Sequence, residues 1–152
     1  MVQNKLLWAI SQNTAAELVY RRVDASLPLM GMLSYDKKEA KSVSKQEVSI
    51  AKNYLDENEM KLLGLLVEQY LAFAETMAQQ QTPMYMKDWI ARLDSILQLN
   101  GRELLTHAGT ISHENALIKS ATEYEKYKVA QAVSQKEQSF KEIEEDIKRL
   151  KP

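Results

Sequence analysis

Between Asp56 and Gln80 the chain carries Met60, Leu62, Leu63, Leu65, Leu66, Val67, Tyr70, Leu71, Phe73, Ala74 and Met77 with no proline among them. Wound at 3.6 residues per turn, these side chains occupy more than one stripe. A helix apolar over most of its circumference belongs inside a protein. Glu68, Gln69 and Glu75 interrupt it too often for a membrane span. The expectation is an all-α, compact helical bundle around a buried central helix at about residues 56–80, with a long C-terminal helix. Gly64 sits inside the central helix at a cost of about 1 kcal/mol relative to alanine. Close approach of a neighbouring helix is its expected reason.

The rest of the chain supports helices. It has 152 residues, enough to bury a core, with only 4 glycines and 3 prolines. Strand-type alternation of β-branched residues is nearly absent. Three capping boxes mark helix starts: Thr14 with Glu17, Ser44 with Glu47, and Asp56 with Glu59. The first helix runs from Val2 to Ile10 with Leu6, Leu7 and Ile10 on one face. The second places Ala15, Leu18, Val19 and Val23 inward, and Pro28 and Gly31 close it. A polar loop follows from 31 to 42, pinned by Tyr35. A short helix then carries Val48, Ala51, Tyr54 and Leu55. Residues 86–99 form an amphipathic helix with Trp89, Ile90, Leu93, Ile96 and Leu97 inward. Asn100 ends it and starts a short turn through Leu104 and Leu105.

Ser112 caps a last helix reaching Leu150, with Leu117, Ala121 and Tyr124 inward. From Val129 its pattern narrows. Val129, Val133, Phe140, Ile143, Ile147 and Leu150 follow a 4-3-4-3 spacing with Lys136 filling one slot, a coiled-coil seam. The expected division is a helical core domain at 1–130 and a coiled-coil-like extension at 131–152. Such a seam packs on a second copy of the chain, giving a homo-oligomer, or back on its own body. Another protein partner is also open to it.

Composition excludes several functions. With no cysteine there is no disulfide, thiolate nucleophile or thiolate metal site, which suits a reducing cytoplasm. The N-terminus lacks a signal peptide pattern, so a cytoplasmic protein with no membrane association is expected. A formal net charge of −1 supplies no global field for nucleic acid, and the lysines between Lys37 and Lys52 lack interleaved aromatics. The phosphate loop, the dinucleotide-binding glycine pattern and the nucleophile elbow are all missing. Neither a cofactor nor a metal is expected.

Two constellations remain as candidates for chemistry. Glu17, Arg21, Arg22 and Asp24 lie together on the second helix. Glu17 and Arg21, four apart, read first as a solvated ion pair. Alternatively Arg21 is presented to an anion, while Asp24 holds the turn before Pro28. His107 and His113 flank a glycine turn, with Glu103 and Glu114 nearby, but no zinc spacing is matched. An enzyme built from these residues would clamp a phosphate- or carboxylate-bearing substrate with Arg21 and Asp24 and move a proton with His107 or His113. Lys87, Asp88 and Trp89 are explained by a helix start and a core face. The methionines read as core filler.

The segments VQNKLLWAI, TAAELVYRRVDASLPLMGM, VSIAKNYLDENEMKLLGLLVEQYLAFAE, PMYMKDWIARLD and GRELLTHAGTISHENA, the last followed by EYEKY, occur in this order. Together they resemble the RhuM-type bacterial virulence protein family over roughly residues 2 to 129. The resemblance implies a bacterial cytoplasmic protein, regulatory or associated with mobile elements. It supplies no catalytic residues. Family members carry an N-terminal segment similar to a helix-turn-helix DNA-binding module. The present chain starts in mid-pattern and looks like the C-terminal domain, so DNA would be reached only through that additional segment. The His-Pro-Phe and Gly-Asn-Gly-Arg signature of the Fic/Doc group is missing, and its transfer chemistry is not implied. The expected function is therefore a helical interaction and oligomerisation domain.

Overall fold

The computed structural model describes residues 2–34 and 43–150. Its helices are α1 (Val2–Ser11), α2 (Ala15–Arg22), α3 (Glu57–Gln79), α4 (Met86–Leu99) and α5 (His113–Leu150), with single 3-10 turns between α2 and α3. There is no strand among the described residues. The all-α class and the long last helix are as expected. No helix among the described residues is long and apolar enough to cross a membrane. The part of the expected 31–42 loop that carries Tyr35 and Lys37 to Lys41 lies at 35–42, outside the described residues.

The centre of the molecule is α2. It packs against the first half of α5, the 3-10 turn Ala51–Tyr54 and α1. Leu18, Val19 and Val23 supply its buried face, meeting Leu7, Ala9 and Ile10 of α1 and Val48, Tyr54 and Leu55 of the turns. Two expected capping boxes close on α2 and α3. The Thr14 hydroxyl accepts the Glu17 amide while Glu17 accepts the Thr14 amide, and Asp56 and Glu59 repeat the arrangement. Each box satisfies amides that a helix start leaves without partners.

The expected buried central helix is corrected. α3 lies at the flank, packed on α1 along one side and paired with α4 along another. Only Leu66 of α3 is fully buried, while Leu65 is 48% and Leu71 61% exposed. Its apolar circumference is real, but no described residue covers the outer part. Gly64 follows the same correction, because a Cβ there would meet no atom within 4 Å. The hairpin itself is well specified. Tyr70 and Phe73 meet Trp89 edge to face, Tyr70 donates its hydroxyl to the Trp89 carbonyl at 2.8 Å, and Gln69 exchanges amide hydrogen bonds with Asn100.

Three smaller corrections concern local geometry. The short helix after Ser44 is two 3-10 turns, Glu47–Ser49 and Ala51–Tyr54, separated by extended Ile50. Its cap survives: Ser44 and Glu47 exchange backbone-to-side-chain hydrogen bonds at 3.3 Å. Asn100 terminates α4 by donating to the Ile96 carbonyl and starts no further helix; Leu104 and Leu105 lie in irregular chain. On α5 the fully buried side chains are Ala116, Ser120 and Glu123; of the residues expected inward, Tyr124 packs partly buried against the core, whereas Leu117 is 41% exposed. Small residues face α2 because the two helices approach closely. Leu117 and Ile118 consequently turn outward.

Beyond residue 131 every described side chain of α5 is exposed. A helix of 38 residues is about 57 Å long at 1.5 Å per residue, so its second half projects from the body. The seam does not fold back. Phe140 is 66%, Ile143 55% and Leu150 84% exposed.

Candidate functional site

The C-terminus of α2 and the turn that follows enclose a cavity of about 580 Å³. Its size is within the range of small-ligand sites. Its lining runs from Arg21 to Asp24, through Leu27, Pro28 and Leu29, to Gly31, Met32 and Leu33. The local chain explains its shape. α2 stops when Val23 turns extended, and Pro28 opens a tight turn. Leu29 at φ 52 and Met30 at φ 58 then adopt left-handed conformations, followed by Gly31 at φ 85. The Asp24 amide donates to the Met30 carbonyl at 3.0 Å and folds this turn back onto the end of α2. Left-handed backbone at two non-glycine side chains is unfavourable by itself and is held by surrounding structure. Met30 is held by complete burial.

Among the described residues, every charged group lining this cavity is already engaged. Arg22 forms a fork on Glu59, at 2.6 and 3.0 Å, and also donates to the Tyr54 carbonyl at 2.8 Å. It thereby ties the end of α2 to the start of α3. Burial alone would raise the Glu59 carboxyl. The Arg22 hydrogen bond and charge and the Asp56 amide outweigh it and hold the group below its usual range. Asp24 accepts both the amide and the hydroxyl of Ser26, at 2.9 and 2.6 Å, which holds the turn before Pro28 as expected. Arg21 donates to Asn13 and pairs with Glu17 at 3.2 Å.

The Glu17–Arg21 pair is not the solvated pair suggested by spacing. The Glu17 side chain is 2% exposed. It accepts the Thr14 amide and the Thr110 hydroxyl, each at 3.0 Å, and so fastens the turn before α5 to the start of α2. Gly109 is needed there: a Cβ would meet Thr14 Cγ2 at 2.8 Å. Burial raises the Glu17 carboxyl, but the Thr14 amide, the threonine hydroxyls and Arg21 together hold it below its usual range. Glu123 is the third such carboxylate. The Ala25 amide lowers it against the effect of burial, with Lys126 and Lys119 assisting.

The histidines stand elsewhere. His107 sits edge-on to Trp8 at 4.7 Å and accepts the Gly109 amide through Nδ1. His113 lines a separate cavity of about 250 Å³ with Ala15, Val19, Ile50 and Ala116. The cavity of Arg21 and Asp24 has no histidine in its lining. The structure thus brings Arg21 and Asp24 together and sets both histidines apart from them. No group of three or more His, Asp or Glu able to hold a metal occurs among the described residues. Sequence spacing missed the Arg22–Glu59 fork because its partners are 37 positions apart and only folding joins them.

Asp24 is lowered as well, by its Ser26 hydrogen bonds, and the three glutamates Glu17, Glu59 and Glu123 fix an acid response. Each favours the deprotonated folded state, so its contribution is complete above the ordinary value of 4.5 and is lost as pH falls through the lower folded value. Melting temperature is expected to stay level from pH 7 to about 5.5 and to fall below about 4.5. A Glu17→Gln, Glu59→Gln double variant should lose melting temperature at pH 7 and show a shallower acid slope in a pH series of thermal melts.

A family model described as the virulence protein RhuM family matches residues 1–136. No curated protein and no solved structure matches the chain.

Proposed function

Because the chain belongs to the virulence protein RhuM family, we propose that it is a helical interaction domain that pairs with a second copy through the second half of α5. The observation that carries this reading is the seam on the projecting helix. Val133, Phe140, Ile143, Ile147 and Leu150 are at least half exposed along one stripe of a helix that no described residue of its own body covers. Fully burying a large apolar side chain is worth roughly 1.5–3 kcal/mol. A row of them repeated at coiled-coil spacing is a stronger reason for association than scattered surface leucines. Residues 131–152 then act as the coupling extension and residues 1–130 as the body. The cavity beside α2 supports the same reading, since its arginines and aspartate are committed to internal partners.

In a longer protein of this family, a two-fold pair would set two N-terminal DNA-reading modules at a fixed spacing, which matches the symmetry of paired half-sites. The working compartment is the cytoplasm of a bacterium. Sedimentation equilibrium of the full chain at about 100 μM should give a dimer, and the chain truncated after Val133 a folded monomer by circular dichroism. A full chain that stays monomeric at that concentration would refute the reading. With a DNA-reading segment fused in front, removal of residues 134–152 should weaken DNA affinity; unchanged affinity would count against the coupling.

A further inference from the structure

The charges beside the seam of α5 distinguish one way of pairing from the others. In the 3-4 spacing, Val133, Phe140 and Ile147 occupy one set of contact positions and Lys136, Ile143 and Leu150 the alternating set. Ala132, Ser139 and Asp146 flank the first set. Glu137 and Glu144 flank the second. Lys141, Lys148 and Arg149 lie on the outer side of the helix, away from the seam. We propose that two copies join with their α5 helices parallel and in register, and that Lys136 is the residue that fixes this register. The proposal rests on the dimer reading above and adds its orientation.

Parallel pairing sets flank positions five residues apart against each other. Ala132 then faces the partner's Glu137 and Ser139 faces the partner's Glu144, and neither contact joins like charges. Lys136, inside the seam, faces the partner's Lys136, and each of these two ammonium groups reaches the other copy's Glu137. Antiparallel pairing does the reverse. With Ile143 laid against the partner's Ile147, Glu144 meets the partner's Glu144 and Asp146 meets the partner's Asp146. Sliding until Phe140 meets the partner's Ile143 puts Glu137 against the partner's Glu144. Both antiparallel alignments therefore gather carboxylates beside a seam that excludes water.

The shape of this face accommodates such a pair. A shallow groove of about 400 Å³ runs along this side of α5, lined by Ala132, Gln135, Lys136, Ser139, Phe140 and Ile143. Lys136, Ser139, Phe140 and Ile143 stand at i, i+3, i+4 and i+7, the four corners of the hole that accepts one side chain of a facing helix. Ser139 and Ala132 are small, which makes room for a ring. In a parallel, in-register pair the side chain delivered to that hole is the partner's Phe140, so each copy fills the hole of the other with the same residue. A self-complementary contact of this kind is what a two-fold interface requires. One polar residue in an otherwise apolar seam fixes register at a cost in stability. Lys136 fits that description, since it stands between apolar layers with the partner's Glu137 in reach.

The absence of cysteine permits a direct test. Val133→Cys and Leu150→Cys lie on the exposed half of α5, so neither disturbs the core. Under mild oxidation each full-length variant alone is expected to form a disulfide-linked dimer. If each alone stays uncrosslinked while an equimolar mixture links Val133→Cys to Leu150→Cys, the helices are antiparallel and the proposal fails while the dimer reading stands. If sedimentation shows a dimer and neither arrangement crosslinks, the helices are not parallel and in register and the proposal fails. A monomer at about 100 μM overturns both readings. Lys136→Ile is expected to tighten the dimer at least tenfold; a looser dimer would overturn the role given to Lys136.

Discussion

Leu18→Ala is expected to cost about 2–5 kcal/mol, whereas Leu71→Ala should cost under about 0.5 kcal/mol. The two residues are chemically identical, and the sequence assigns both to the core. Leu18 has no exposed surface and is surrounded by the side chains of α1, the 3-10 turns and α5. Removing its isobutyl group leaves a void that neighbouring helices fill only in part. Leu71 is 61% exposed on the outer side of α3, so truncation there removes little buried area. Urea unfolding at pH 7 measures both, provided the denaturant slope stays constant across the variants. Equal losses at the two sites would place the core around α3 after all.

Gly31→Ala is the second large effect, with an expected loss of roughly 3 kcal/mol from two separate causes. Gly31 has φ 85, where a Cβ is strained. The new Cβ would also lie 2.4 Å from the Arg22 carbonyl oxygen, which belongs to backbone and cannot rotate aside. Relief requires the turn to lift from the end of α2, which disturbs the Asp24 to Met30 hydrogen bond and the cavity. Gly64→Ala provides the opposite result. Gly64 lies in regular helix with open space around it, so alanine should stabilise the protein by about 1 kcal/mol. Thermal melts of the two variants should move in opposite directions.

The contrast between these glycines shows what local sequence conveys. The sequence reads Gly31 as the close of a segment and assigns a close neighbour to Gly64. Only Gly31 has one, and its neighbour is nine positions earlier in the chain. Capping boxes were legible because their partners are three residues apart and the chemistry is entirely local. Glu17 was legible as a cap and as an ion-pair partner, but not as the group that holds Thr110. The inward face of α5 was misread in part for a related reason. Hydrophobic periodicity selects the large residues, while close helix contact selects Ala116 and Ser120. Among the candidate site residues, Arg21 and Asp24 share a cavity because they share a helix end. His107 and His113 could not be assigned in the same way, since separate packing neighbours decide where each ring lies.

By itself, then, the sequence determined the helical class, most of the starts and stops, and the 3-4 seam on the last helix, because each depends on residues within one or two turns. Tertiary structure alone decided that α2 is the centre and α3 the flank. A helix's composition states how much apolar surface it has to bury, whereas the positions of the other helices decide how much of that surface is covered.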